Sequence, residues 1–445
     1  MAVVIHKSLL TDAQIKLVSE ALYVVPKVDK YLQKKFYNNG NTPKGVKVYA
    51  DGGDCVRLPF SYACNFFKQS NDKLNHAKVS MKFTGQIWDK QKGFVTSTID
   101  MLNRKRTTIL NLPPGYGKTT MSAAISCAIG LLTVILIYDS TLYTQWAKTY
   151  KERSTAVVWM VGEESPPPKA DVIICLWTRV KSISSQLRDL VGVLVIDEAH
   201  EFPNQTGVNA ILGFTPKYII AATATFEKRN DMHLAIEAFV GNDKVATDYK
   251  KPFVLFKWET GIEGIREKTN GTTNWHILNK SLLYNDHRNL MIVDIVIGLL
   301  SCGRKIMLFT TEVDHVIHLY GMLTSRGVVC DYFTGEKPTF KNTQVLISNM
   351  QKSAVGFDEE MFCDDFDGVR IDAIVYAAPF RDLALRYQAN GRARADNPWI
   401  IHMLDKDKTC TNQYRETEWF YRNNGGTIMC KYPGVGGVGG GWFPG

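Results

Sequence analysis

Two short runs of this 445-residue chain have residue types and spacing suited to phosphate chemistry. The first is Gly115-Tyr116-Gly117-Lys118-Thr119, inside NLPPGYGKTT. Glycines let a backbone approach an anion closely and take left-handed dihedrals. The N–H groups of such a loop, and of a helix opening at Lys118, converge on phosphate oxygens, and the helix dipole adds to the attraction. Lys118 then reaches the β- and γ-phosphates, and the Thr119 hydroxyl is a ligand for Mg²⁺. The first glycine of the usual G-x-x-x-x-G-K-[ST] loop is replaced by Leu112.

The second run is VGVLVIDEAH, an apolar stretch that ends in Asp197 and Glu198. A carboxylate at the end of a buried parallel strand lies at the carboxyl edge of its sheet, where ligands bind. Asp197 there would hold Mg²⁺ through its water shell, and Glu198 would polarise an attacking water. An Asp-Glu pair also suits an ordinary helix N-terminus. Its place about eighty residues after a phosphate loop, on the next-but-one strand of the sheet, favours the nucleotide site.

Both runs need elements that bring them to one edge. From about residue 81 to 240 the apolar runs TTILNL, TVILIY, DVIICL, VGVLVID and YIIAAT alternate with helical stretches. That alternation predicts a parallel sheet covered by helices on both faces. A second alternation, KIMLFT, VVCDYF, QVLISN, AIVYAA and WIIHML, predicts a second α/β domain with no phosphate loop of its own. The predicted organisation is an accessory domain over 1–80, a nucleotide-binding domain over 81–250, a connection over 251–274, the second α/β domain over 275–412 and an extension over 413–445. The accessory part mixes a helix (DAQIKLVSEALYVV) with the short runs KGVKVYA and CVRLPF, punctuated by NNGN and DGGD. The extension ends in the Gly-rich YPGVGGVGGGWFPG, whose composition predicts mobility. The apolar stretch AAISCAIGLLTVILIY is short for a membrane span of ~20 residues and reads as a buried helix, a stop at Gly130 and a buried strand.

Composition narrows the partners. Hydrophobic content of 45% and charged content of 22% are those of an ordinary globular protein. A net charge of +9 favours a polyanion such as nucleic acid. The nine cysteines form no Cys-x-x-Cys pair and no zinc spacing, which predicts a reducing compartment. MAVVIHKSLLTD has no long apolar run after a basic start, so an intracellular, soluble protein, cytoplasmic or nuclear and with no membrane partner, is expected.

Asp197-Glu198-Ala199-His200 resembles the DEAH box of superfamily 2 helicases and translocases, and Pro113 to Thr119 resembles the first motif of that superfamily. Further motifs follow in the family's order. Thr223-Ala224-Thr225 resembles the motif that couples hydrolysis to domain movement. Leu142, Gln145 and Trp146 resemble a segment that touches the nucleic-acid backbone, and Gln91 resembles the upstream glutamine that reads adenine. ISNMQKSAVGFD resembles the fifth motif through Gly356 and Asp358, and QANGRAR resembles the sixth through Gln388, Gly391 and Arg392. The last arginine of that pattern is Ala395 here, and Arg394 stands one residue early as a substitute.

The resemblance covers about residues 81 to 410 and implies two tandem RecA-like domains behind a small α+β N-terminal domain. It implies ATP and Mg²⁺ as cofactors, with hydrolysis in the cleft between the two domains. Catalytic roles fall to Lys118, Asp197, Glu198, Gln388 and the finger arginine Arg392. Nucleotide contacts fall to Gln91, Pro114, Gly115, Tyr116, Gly117, Lys118, Thr119, Thr120, Asp358 and Arg394, and metal contacts to Thr119 and Asp197. The loop LPPGYGKT, the Gln-Trp segment and the N-terminal module further resemble the DEAH helicases of large DNA viruses, of the poxvirus transcript-release type, and phage recombination helicases. DNA is then the expected track, with transcription, replication or recombination partners, in the host cell if the protein is viral.

Four other readings compete with this one. A duplex-DNA translocase shares every motor motif. An RNA helicase needs 2′-hydroxyl readout, for which no module is recognisable. A scaffold that has lost hydrolysis conflicts with intact Lys118, Asp197, Glu198 and Arg392. A small-molecule kinase leaves QANGRAR without a purpose. His200 is expected to link the nucleotide site to the second domain. His315 and His318, three residues apart, could face a metal but read better as a solvated helix face.

Overall fold

The structure, a computed structural model, describes residues 2–27, 44–226, 231–269, 272–354 and 356–429. The NNGN turn and the Gly-rich tail lie outside the described residues. The chain divides into two compact units, Met1–Asp248 and Tyr249–Gly445.

The first unit is built on a seven-stranded sheet in the order Lys244–Ala246, Thr107–Asn111, Tyr218–Thr223, Val193–Asp197, Thr133–Ile137, Val172–Leu176, Val158–Met160. Every pairing in it is parallel. Its central strands are buried on both faces, which is why they read as continuous apolar runs. The stretch that resembles a membrane span is the helix Lys118–Ile129, the left-handed Gly130 (φ 66°) and the strand Thr133–Ile137. No helix among the described residues is long and apolar enough to cross a membrane.

Residues 1–80, expected as a separate accessory domain, share one continuous core with this sheet. They contribute a three-stranded antiparallel sheet, Ala2–His6 beside Cys55–Pro59 beside Ala50–Gly52. They also contribute the helix Asp12–Ala21, opened by a Thr11–Gln14 capping box. The Ala2 N–H donates to the Phe214 carbonyl at 2.8 Å, and the buried Asn71 amide donates to the Ala2 and Pro216 carbonyls at 3.2 Å each. Gln205, on the first turn of the helix after the DEAH run, exchanges two hydrogen bonds with the Lys47 backbone.

The second unit holds another seven-stranded parallel sheet, ordered Cys330–Phe333, Val345–Asn349, Ile306–Thr310, Ala373–Tyr376, Trp399–Leu404, Phe253–Glu259, Gly426–Met429. Successive residues of its strands feed opposite faces, as strand geometry requires. Ile306, Leu308, Val345 and Ile347 pack into one core, and Met307, Phe309, Leu346 and Ile374 into another. Phe253–Glu259 lies in the expected connection and Gly426–Met429 in the expected extension, yet both are sheet strands paired side by side. The periodicity of FVLFKWE is short and mixed, and it is pairing to Trp399–Leu404 on one side and Gly426–Met429 on the other that declares it a strand.

Candidate nucleotide site of the first unit

The strand Thr107–Asn111 runs into the loop, and the helix leaves it at Lys118. Gly115 (φ 73°) and Gly117 (φ 88°) both take left-handed backbone, which explains why the loop uses glycine there. Gln91 is buried against the loop. Its Nε2 donates to the Tyr116 carbonyl at 2.8 Å, and its Oε1 accepts from the Trp88 N–H at 3.0 Å. A Cβ added at Gly117 would come within 2.4 Å of that Nε2. Lys118 Nζ folds onto the loop itself and donates to the Leu112 carbonyl at 3.0 Å and more weakly to Pro113 at 3.5 Å.

Sheet register brings the other motifs to the same edge. Asn111 pairs with Thr223, and Asp197 pairs with Ala222. The loop, the DEAH run and the Thr223-Ala224-Thr225 run therefore all leave the sheet side by side at its carboxyl edge. Asp197 is buried, and its Oδ1 accepts the Glu198 N–H at 3.1 Å. Burial raises the Asp197 pKa and the Glu198 charge raises it further, against the Trp146 N–H and Lys118. Glu198 has a left-handed φ of 46°, so the chain turns sharply out of the strand at the residue expected to polarise water. Its Oε2 is buried with no hydrogen bond; the His200 Nδ1 lies 3.3 Å away but meets Thr223 Oγ1 at 2.9 Å instead. Within this unit His200 thus joins the DEAH run to Thr223, which in turn accepts the Thr225 N–H at 3.1 Å.

The Gln-Trp segment departs from expectation. Leu142 and Trp146 are buried, so their side chains are not offered to a nucleic-acid backbone. The Trp146 indole N–H instead donates to Asp197 Oδ2 at 2.7 Å, and Gln145 Nε2 lies 3.5 Å from Thr119 Oγ1. No local pattern reveals this contact, because the two partners are 51 positions apart.

Thr119 and Asp197 offer oxygen atoms only, which fits a hard divalent cation such as Mg²⁺. Among the described residues no cluster of three or more His, Cys, Asp or Glu side chains could hold a metal alone. Mg²⁺ binds through one or two protein oxygens plus nucleotide phosphates, so it needs no such cage.

In the second unit the fifth and sixth motifs grip one another. The Arg392 Nε and Nη2 donate to the Ala354 carbonyl at 3.0 and 2.6 Å, and Nη1 donates to the Phe357 carbonyl at 2.5 Å. Arg394 meets Asp358 Oδ2 at 2.8 Å, and Arg370 meets Oδ1 at 3.0 Å. Burial works to raise the Asp358 pKa, but the two arginines outweigh it and hold the carboxyl below its ordinary value. Gln388 is buried on the helix Leu383–Asn390. His315 corrects the solvated-face reading. It is fully buried, with Nδ1 2.6 Å from Thr310 Oγ1 and Nε2 3.1 Å from Asn289 Oδ1.

Residues 84–228 match the family described as the type III restriction enzyme res subunit. The chain is similar to the 161L protein of Invertebrate iridescent virus 6, assigned as a helicase, at 23% identity over 91% of this chain and 96% of that one. It is also similar to the transcript termination protein OPG145 of Vaccinia virus, at 24% identity over 52% of this chain and 50% of that one. Its fold is like that of S. cerevisiae Dbp5 bound to RNA and ADP BeF3, with a TM-score of 0.53, 14% identity, and coverage of 81% of this chain and 95% of that one. The order of its motifs and these sequence likenesses support a superfamily 2 helicase related to viral helicases, and the two parallel sheets give it the matching fold.

Proposed function

We propose that the chain is an ATP-driven motor that moves on DNA, with its hydrolytic site at the carboxyl edge of the first sheet. The observation that carries this reading is the register that sets Asn111, Thr223 and Asp197 on neighbouring strands. Lys118 neutralises phosphate charge, and the N–H groups around Gly115 and Gly117 cradle the anion. Thr119 and Asp197 would hold Mg²⁺, which when bound neutralises charge on the β- and γ-phosphate oxygens. Glu198 orients the attacking water and accepts its proton. Gln91 braces the loop through Tyr116 and meets the adenine side of the nucleotide, with Pro114 and Thr120 completing the cradle.

Arg392 serves as the finger arginine in this reading. To do so it trades neutral carbonyls for phosphate oxygens, an exchange favoured because charged pairs are stronger than charge–carbonyl bonds. Gln388 takes a catalytic part in the same reading, and the ion-paired Asp358 and Arg394 contribute nucleotide contacts. The surplus of +9 charges supports a polyanionic track, and the choice of DNA rests on the resemblance of the loop, the Gln-Trp segment and the N-terminal module to the DEAH helicases of large DNA viruses. The test is ATP hydrolysis by the full chain without nucleic acid and with single-stranded DNA, duplex DNA, a branched junction or single-stranded RNA, at two salt concentrations. Stimulation by DNA that weakens with salt is expected. Stimulation by RNA alone would overturn the DNA assignment.

A further inference from the structure

We infer that the adjacent pair Gln145 and Trp146 is a positioning device for the two side chains proposed to hold Mg²⁺, and not part of a nucleic-acid surface. This rests on the assignment of Asp197 and Thr119 as metal ligands.

Trp146 is completely buried, and its indole has one donor and no acceptor. A buried indole N–H needs a partner, and here the partner is Asp197 Oδ2 at 2.7 Å. The other oxygen of that carboxylate takes the Glu198 N–H at 3.1 Å. One donor on each oxygen locks the carboxylate's rotation while leaving lone pairs for a cation and its waters. Trp146 is itself held, because its ring stacks on Tyr150 with centroids 6.3 Å apart and 26° between the planes. The Tyr150 hydroxyl lies 2.7 Å from Ser126 Oγ, on the helix that opens at Lys118. Asp197, Trp146, Tyr150 and Ser126 thus run unbroken from the DEAH strand to the phosphate-loop helix. The neighbouring Gln145 reaches Thr119 on that same helix at 3.5 Å. One turn of the helix Leu142–Arg153 therefore addresses both proposed ligands, and a nucleic-acid contact would leave this double placement unexplained.

The test is equilibrium binding of N-methylanthraniloyl-ATP to the full-length chain, once with Mg²⁺ and once with EDTA. The ratio of the two affinities is the metal-dependent gain. Trp146→Phe keeps an aromatic ring and removes the donor. It should cut the gain about tenfold, as loss of an outer-shell donor does at metal sites, while changing EDTA binding less than about twofold. Combined with Asp197→Asn it should cost nothing further, because the tryptophan acts through that carboxylate. Gln145→Leu is half-buried and tests the Thr119 arm independently, with a smaller loss of gain expected, should Trp146→Phe not fold. A parental gain in folded Trp146→Phe overturns the inference, as does an additive effect in the double variant or a parental gain in Gln145→Leu. A parental gain in Asp197→Asn overturns the ligand assignment itself, and the inference with it.

Discussion

Replacing Gly117 by alanine should cripple nucleotide binding, and by more than the loss of a glycine alone predicts. Gly117 has φ 88°, a region where an L-residue is strained by ~1–2 kcal/mol. The added Cβ would also fall 2.4 Å from Gln91 Nε2. Gln91 would then give up its 2.8 Å bond to the Tyr116 carbonyl, and a buried amide left without its partner costs ~1–3 kcal/mol. Together these come to about 2–5 kcal/mol, or at least about 30-fold in affinity at 1.4 kcal/mol per tenfold. The two parts separate in a cycle with Gln91→Ala. With the glutamine truncated the clash disappears, and only ~1–2 kcal/mol of backbone strain remains for Gly117→Ala. The assay is equilibrium binding of a fluorescent ATP analogue to the parent, both single variants and the double variant. The expected coupling is at least about 1 kcal/mol, with the double variant better than the sum of the singles. Strict additivity would refute the reasoning, since it would mean that Gln91 does not bear on Gly117 when nucleotide binds.

Glu198→Gln should bind ATP like the parent yet turn over about 10²–10⁴-fold more slowly, because the amide cannot accept the water's proton; parental turnover would remove Glu198 from that role. Arg392→Ala should bind nucleotide within about twofold of the parent and lose stimulation by nucleic acid, as expected of a finger arginine; unchanged stimulation in steady-state hydrolysis would show that Arg392 only braces the Ala354 and Phe357 carbonyls. The second unit should weaken in acid. Burial, with Arg288 and His318 nearby, pushes the His315 pKa from 6.5 down to about 3. Asn289 Oδ1 can only accept, so the neutral ring donates from Nε2 and takes the Thr310 hydroxyl at Nδ1. Between those two values the unfolded state binds the extra proton, so stability falls as pH drops through 6.5, by about 2 kcal/mol at pH 5. Hydrogen exchange of the Ile306–Thr310 strand should accelerate accordingly, and a His315→Gln chain should lack that part of the pH response.

Much of this protein was legible along the chain because its chemistry is local. A phosphate loop needs its glycines and Lys118 within a few residues of a strand end, and an apolar run followed by Asp197 and Glu198 declares a buried strand and its carboxyl edge. Ten of the sheet strands announce themselves as apolar runs in the same way. What required the tertiary structure are contacts whose partners are distant in sequence. Strand order decides that Asn111, Thr223 and Asp197 share one edge. Helix packing buries Trp146 and spends its N–H on Asp197, against a resemblance that places the segment on nucleic acid. The i, i+3 spacing of His315 and His318 is compatible with a solvated face. Only packing against Thr310 and Asn289 makes His315 a satisfied core residue. Phe253–Glu259 becomes a strand because Trp399–Leu404 and Gly426–Met429 pair with it. Spacing along a backbone determines which groups can act together within one loop or one turn. Which carboxylate a buried indole will meet depends on a sheet order and helix packing that no local run of residues encodes.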